Sequence, residues 1–384
     1  MMVKRINRIL LLARCLVRAM FYGKADKIPS NPSRIIVAPS GKLGDVVCNT
    51  PVLFAIRKYL PKALIIVAGN SKLHRPLLSD SGLVDEYLDL EEERVLERIK
   101  SCHADVAVVT GPSFEPTSLF YLAGVPLVIA PTAVGGVAYD MTRPYKILQK
   151  FIKVFPYQIS EYAPRERLKA LEPLGIISSD TTKHLGFSEV ADKKATDLIS
   201  KISGSYRYLV GISAGAGSKE KQWDPKKFAQ VANHLIREHN AHIIVFGGKN
   251  NIPESTEMIS AIGDKSRITD STCVSIDDLK ARISKLDIFI SVNTGPLYIA
   301  EAFDIPTVDI LGPVNPWDQP PQGEVHKMVF PPGRPKPLIR TMNVRNHDTR
   351  EAERIAKSTR IEDVISATEE VLKEVDERRL VKKG

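Results

Sequence analysis

Twice along this chain, short apolar runs rich in Val and Ile alternate with longer stretches of helical character. The first series places strand candidates at Ile35–Ala38, Leu64–Ala68, Val106–Val109 and Leu127–Ile129, with helices near 51–60, 71–79 and 91–101. The second places them at Tyr208–Ile212, His242–Phe246, Leu286–Ile290 and Thr307–Leu311. Runs this short and this apolar suit strands buried on both faces, and intervening helices suit the crossovers that parallel strands require. The pattern predicts an α/β chain with two Rossmann-like halves. A helical and polar stretch from about 145 to 203 separates the halves. The Pro-rich segment 313–337 reads as an extended loop, and 361–380 as a final helix with Ile361, Val364, Ile365, Ala367, Val371, Leu372 and Val375 at its apolar positions. The implied divisions are an arm over 1–30, a first domain over 31–190, a second over 191–350, and a C-terminal helix with a basic tail over 351–384.

With 384 residues, 43% hydrophobic and 26% charged, the chain can bury two separate cores. Its net charge of +9 suggests nucleic acid until the charges are located: residues 1–30 carry seven Lys or Arg against one Asp, while residues 31–330 carry 34 of each sign. A neutral body without a basic-aromatic stripe argues against a nucleic-acid partner. Cys15, Cys48, Cys102 and Cys273 form no CxxC pair, and no His cluster stands at ligand spacing along the chain. Neither a disulfide framework nor a metal site is expected, and a reducing, cytoplasmic compartment fits best.

The basic arm is amphipathic. At about 100° per residue, Ile6, Ile9, Leu10, Ala13, Leu16, Val17 and Met20 gather on one face of a helix, and Lys4, Asn7, Arg8, Arg14 and Arg18 on the other. The uncharged run Ile9–Ala13 is far short of the roughly 20 residues that span a bilayer. Residues 4–22 are expected to lie flat on an anionic membrane surface, with packing on the protein itself or on a partner as the alternative.

Three loops follow strand candidates and carry chemistry. Ser40-Gly41-Lys42-Leu43-Gly44-Asp45 is neither a Walker A loop nor a dinucleotide fingerprint. Gly41 and Gly44 let a ligand approach the backbone, Lys42 adds charge, and Asp45 can either deprotonate a hydroxyl or cap a helix. Thr50-Pro51 can equally mark the helix start, with Thr50 as N-cap. In the second half, Ser213, Gly215 and Ser218 expose small-residue backbone and hydroxyls, and Lys219 or Lys221 can neutralise a diphosphate; Trp223 reads as packing. Finally, Asn293-Thr294-Gly295-Pro296 joins a strand to a helix beginning near Leu297, with Pro296 suited to the first helical position. The N–H groups and positive dipole end of that helix favour an anion.

Gly44–Pro51, the segment from Gly211 to Phe228 with its Lys221-Gln222-Trp223, and Ser291–Ala300, in this order, resemble glycosyltransferase family 9, the heptosyltransferase-like enzymes. Gly247-Gly248 and Leu311-Gly312-Pro313 fit as well, and the similarity spans about residues 34–315. The resemblance implies a GT-B fold, with two Rossmann-like domains facing a central cleft, acceptor on the first and nucleotide-sugar on the second, and a C-terminal helix crossing back to the first domain. It also implies metal-independent, inverting transfer of a sugar, typically heptose from ADP-heptose, onto a lipopolysaccharide-type or other lipid-linked saccharide at the inner face of the cell membrane. By motif position Asp45 matches the proposed general base, Lys221 the phosphate lysine, and Asn293 to Gly295 the donor-contacting turn. No cofactor is implied beyond the nucleotide-sugar co-substrate. Asn293 stands where heptosyltransferases often carry Asp, and Tyr298 where His is common; an amide both donates and accepts, so the preferred sugar can differ. A non-catalytic nucleotide-sugar-binding module of an envelope-polysaccharide complex is the rival reading. A dehydrogenase is disfavoured by the missing dinucleotide fingerprint.

Overall fold

The computed structural model describes residues 2–136, 138–202, 204–342 and 347–381, with side chains from residue 8 onward. It divides into two compact units, Met1–His184 with Thr341–Arg345, and Leu185–Arg340 with Asn346–Gly384. The first holds strands β1 (Arg34–Ala38), β2 (Leu64–Gly69), β3 (Glu86–Asp89), β4 (Val106–Val109), β5 (Leu127–Val134) and β6 (Lys153–Gln158), in the order β3-β2-β1-β4-β5-β6. The second holds β7 (Tyr208–Ser213), β8 (Ala241–Gly247), β9 (Ile268–Thr272), β10 (Ile288–Val292), β11 (Thr307–Ile310) and β12 (His326–Val329), in the order β12-β11-β10-β7-β8-β9. All pairings between these named strands are parallel. Counted within its own unit, each sheet has the Rossmann order, and strand order reverses beside β1 and beside β7.

The eight inner strands coincide with the eight expected ones, within a few residues at their ends. The four edge strands, β3, β6, β9 and β12, are new: β6 lies in the stretch read as helical and polar, and β12 in the segment read as a loop. Inner strands are covered on both faces and need a continuous apolar run. An edge strand needs only half of that and tolerates Lys153 and Pro156 in β6, Asp270 in β9 and Lys327 in β12. β10 begins at Ile288, two residues later than expected, because the Leu286 N–H bonds to the Ile283 carbonyl in the preceding turn.

Two packing results depart from the sequence reading. The last helix, Ile361–Val381, buries Val364, Val371, Leu372 and Val375 in the core of the second unit. It is Thr341 and Met342, rather than that helix, that belong to the first unit, where the Tyr139 N–H donates to the Met342 carbonyl at 3.3 Å. The N-terminal helix, Met2–Tyr22, does pack on its own unit, through a second apolar stripe that the amphipathic reading left out. Cys15 is fully buried there, with Leu11, Leu12 and Ala19 beside it against the first core. Arg8 pairs with Glu115 at 2.5 Å, and the Arg18 guanidinium lies 4.6 Å from the centre of the Tyr121 ring. These two basic residues therefore serve the protein. From Ile9 onward the stripe read as apolar faces outward: Ile9 is 70% exposed, Leu10 58%, Val17 56% and Met20 82%, joined by Phe21 at 76%, while the side chains of Lys4, Ile6 and Asn7 lie outside the described residues. Among the described residues, no helix is long and apolar enough to cross a membrane.

Candidate functional site

In the first unit, the loop after β1 turns back at Gly41, whose φ of +98° is left-handed. A Cβ there would come 2.3 Å from Asp45 Oδ2, so the glycine is required both by conformation and by the approach of the carboxylate. Asp45 lies on the short helix Leu43–Val47 and accepts from the Lys42 N–H at 2.9 Å, which is a capping contact. The following helix starts at Thr50 with Asn49 as N-cap and Pro51 in its first turn. Thr50 is not its cap; its hydroxyl donates to the Val47 carbonyl at 2.8 Å and accepts from the His184 N–H at 2.9 Å. Asp45 thus does cap a helix, though the one capping hydrogen bond occupies only part of its acceptor capacity.

Sequence reasoning missed the partner on the other side of that carboxylate. Arg167, on helix Ala163–Leu168, is buried with 1% of its side chain exposed, and its Nη2 stands 3.3 Å from Asp45 Oδ1. Its Nη1 donates to the Asp45 carbonyl at 3.3 Å, where Asn49 Nδ2 also donates at 2.7 Å. The Asp45 side chain keeps 28% of its surface open to solvent. It is therefore held from two sides and accessible from a third. Nothing in the local Pro-Arg-Glu-Arg sequence distinguishes Arg167 from the exposed Arg165 two positions earlier. Lys42 and Gly41 are exposed and Gly44 is buried beneath the loop.

In the second unit, β7 and β10 are neighbours with Ser213 opposite Ser291, so the loops that follow them leave the same edge side by side at the switch point. Ser213 is buried, and the Ser291 hydroxyl donates to its carbonyl at 3.2 Å. Gly215 has a structural reason: a Cβ would meet Asn251 at 2.3 Å. Ser218 stands at the N-cap position of the 3-10 turn Lys219–Lys221 without a side-chain capping bond, and its hydroxyl instead bonds Glu220 and holds that carboxyl below the usual range. Of the two lysines, Lys219 is exposed, whereas Lys221 reaches across to Asn293 Oδ1 at 3.4 Å. Thr294 is the N-cap of helix Gly295–Ala302, so Gly295 is its first residue and Pro296 its second, one position later than expected.

Asn293 is 6% exposed and sits at the centre of a polar cluster. Its Nδ2 donates to the Tyr298 hydroxyl at 2.9 Å and to Asp309 Oδ2 at 3.1 Å. Asp309 is 1% exposed, in the middle of β11, and burial pushes its carboxyl up to about 7, against the opposing pull of the Asn293 hydrogen bond and of Lys221. Its signal in the sequence is a lone carboxylate inside the apolar run Thr307–Leu311, which no local motif marks as a site residue. Lys221, Asn293, Tyr298 and Asp309 are thus one connected group beside an eight-residue helix whose N-terminus points its dipole toward the loop edge.

Two doubly wound units with small-residue loops at their switch points define a GT-B glycosyltransferase class of fold. The sequence model of glycosyltransferase family 9 (heptosyltransferase) matches residues 94–340, more than half of the chain, and the chain belongs to that family. That match covers the Lys221 and Asn293 loops and begins after the Asp45 loop. Lipooligosaccharide heptosyltransferase 2 of Campylobacter jejuni is 29% identical over 127 residues, 31% of this chain and 40% of its own length. Lipopolysaccharide heptosyltransferase 2 of Salmonella typhimurium is 22% identical over 304 residues, covering 75% of this chain and 84% of that protein. Among solved structures, the ADP-heptose lipopolysaccharide heptosyltransferase II of Escherichia coli superposes with a TM-score of 0.67 at 18% identity, covering 89% of this chain and 99% of that one. A family 9 glycosyltransferase of Veillonella parvula gives 0.63 at 20% identity, covering 74% and 82%.

Proposed function

We propose that this chain is an inverting glycosyltransferase that moves heptose from ADP-heptose onto a lipopolysaccharide-type or other lipid-linked saccharide. The observation that carries the reading is the Lys221–Asn293 contact beside the N-terminus of helix Gly295–Ala302, inside the region matched by the family. A leaving diphosphate needs positive charge that is already in place, and an ammonium with a helix dipole supplies it without a metal ion. Ser213, Gly215, Ser218 and Thr294–Pro296 shape the same donor side. In the first unit Asp45 acts as the general base on the acceptor hydroxyl, with Gly41, Lys42 and Gly44 forming the loop around it. Arg167 holds the carboxylate in one orientation, leaving its open side for the acceptor.

The outward stripe of the N-terminal helix supports peripheral attachment to the inner face of the cell membrane. One half of the helix is already satisfied by its own unit, so Ile9, Leu10, Leu16, Val17, Met20 and Phe21 are free to enter the acyl boundary. Exposed Arg14, Lys24 and Lys27 then face anionic headgroups, in place of the engaged Arg8 and Arg18.

Thermal stability measured in parallel with ADP, UDP, GDP and CMP tests the donor. ADP at 100 times its dissociation constant should stabilise the protein by about 2.7 kcal/mol. Stabilisation by another nucleotide alone would reject ADP-heptose. Binding without transfer or donor hydrolysis across several acceptors would favour a non-catalytic binding module.

A further inference from the structure

The geometry points to Asp309 as a positioning residue that locks the side-chain amide of Asn293, so that Asn293 offers the donor an acceptor oxygen only, as an aspartate would. The inference rests on the assignment of the 293–296 turn to the donor, and it reverses what the amide suggested by sequence. An asparagine has two N–H donors and one carbonyl acceptor. Here both donors are consumed inward, by the Tyr298 hydroxyl at 2.9 Å and Asp309 Oδ2 at 3.1 Å. The carbonyl is left on the side of Lys221, whose ammonium can only donate. Turning the amide over would set an NH2 group against an ammonium and a carbonyl against a carboxylate. The ammonium opposes that flip at any pH and the carboxylate opposes it once ionised, so the orientation is set by Lys221 and reinforced by ionised Asp309.

Asp309 is an expensive way to pack a strand. It is fully enclosed in β11, and among the described residues its Oδ1 has no hydrogen-bond partner. An apolar residue at this position would carry no such penalty. Register explains the placement: Asp309 pairs with Ser291 on β10, two residues before Asn293, so its carboxylate lies under the turn. Burial holds its titration close to neutrality, with Lys221 and Glu301 as the charged groups that act on it. The lock therefore tightens as the carboxyl ionises, because an anionic acceptor bonds the amide more strongly. A sugar hydroxyl approaching Asn293 meets an oxygen flanked by an ammonium, which is the acceptor character of a carboxylate without its full charge.

Asp309→Asn replaces the lock by a second amide that can present either end to Asn293. We expect its KM for ADP-heptose to rise about tenfold or more at unchanged fold. The double variant Asn293→Asp/Asp309→Asn restores an acceptor-only group at 293 with a donor amide behind it, and should return KM to within about threefold of wild type. A wild-type KM in Asp309→Asn, or a double variant as poor as the single one, overturns the inference. The free protein gives a second readout that needs no donor. With 15N-asparagine labelling, the Asn293 side-chain N–H resonances should titrate with a midpoint near pH 7 in the wild type and lose that titration in Asp309→Asn. Resonances that stay constant from about pH 5.5 to 8.5 would reject the lock even if ADP-heptose is the donor. A titrating amide in a protein that does not bind ADP-heptose would keep the lock and reject only the donor assignment.

Discussion

Asp45→Asn separates two tasks held by one carboxylate. The substitution keeps the size of the side chain and one acceptor oxygen, and it removes the charge. Its structural cost has two parts. The Lys42 N–H bond at 2.9 Å changes from a charge-assisted hydrogen bond to a neutral one, a loss of about 1 kcal/mol. Arg167, with 1% of its side chain exposed, loses its carboxylate. Removing one partner of a fully buried pair costs about 3–5 kcal/mol. The Asp45 side chain is 28% open to solvent, so water screens the pair and about 1–2 kcal/mol is the better figure. The sum, about 2–3 kcal/mol, should lower the urea midpoint by roughly 1 M, given slopes of about 1–3 kcal/mol per molar urea. A protein with an ordinary stability of about 5–15 kcal/mol remains almost wholly folded after such a loss. Loss of a general base, by contrast, should reduce kcat by about 10²–10⁴, with nucleotide affinity unchanged. The assay is therefore turnover beside urea unfolding on the same preparation. A variant with the expected midpoint shift that still turns over within tenfold of wild type would leave Asp45 as a cap and refute its catalytic role.

Three further outcomes follow from burial and charge. Met20→Gln with Phe21→Ser, at positions 82% and 76% exposed, removes apolar surface without adding charge; it should leave stability within about 0.5 kcal/mol and release the protein from anionic vesicles in a flotation assay, and unchanged flotation would remove the helix as the anchor. Trp223→Ala should cost about 3–5 kcal/mol in urea unfolding, because the indole is fully buried, packs on Phe228 and donates to the Thr359 carbonyl at 3.0 Å; a cost under 1 kcal/mol would contradict that packing. His74 is held neutral by burial, which lowers its pKa from 6.5 to about 4, partly opposed by Asp89. The unfolded chain then binds the extra proton first, so this contribution is complete above about pH 6.5 and fades as pH falls toward 4, by at most about 3 kcal/mol. His74→Leu should flatten the stability profile over that interval, and an identical acid slope in the variant would exclude His74 as its source.

The amino-acid sequence by itself determined the eight inner strands, the order of the three loops and the type of residue each loop carries. Strands covered on both faces must be apolar throughout, and loops between regular elements must use Gly, Pro and small polar residues. Those demands are local and are written locally. Edge strands such as Lys153–Gln158 face them on only one side, and so escaped notice. The N-terminal helix shows the limit of periodicity. Its apolar residues cover more than one face, and only packing decides that Leu11, Leu12, Cys15 and Ala19 go inward while Ile9, Val17 and Met20 stay out. The site shows the same limit more sharply. Asp45 and Asn293 are recognisable within their own motifs, whereas Arg167 lies 122 residues from Asp45, and Asp309 lies 16 residues from Asn293, on the strand beside the one that leads into the Asn293 turn. A side chain's charge is a property of its residue, but which oxygen or amide it presents depends on partners brought close only by the folded chain.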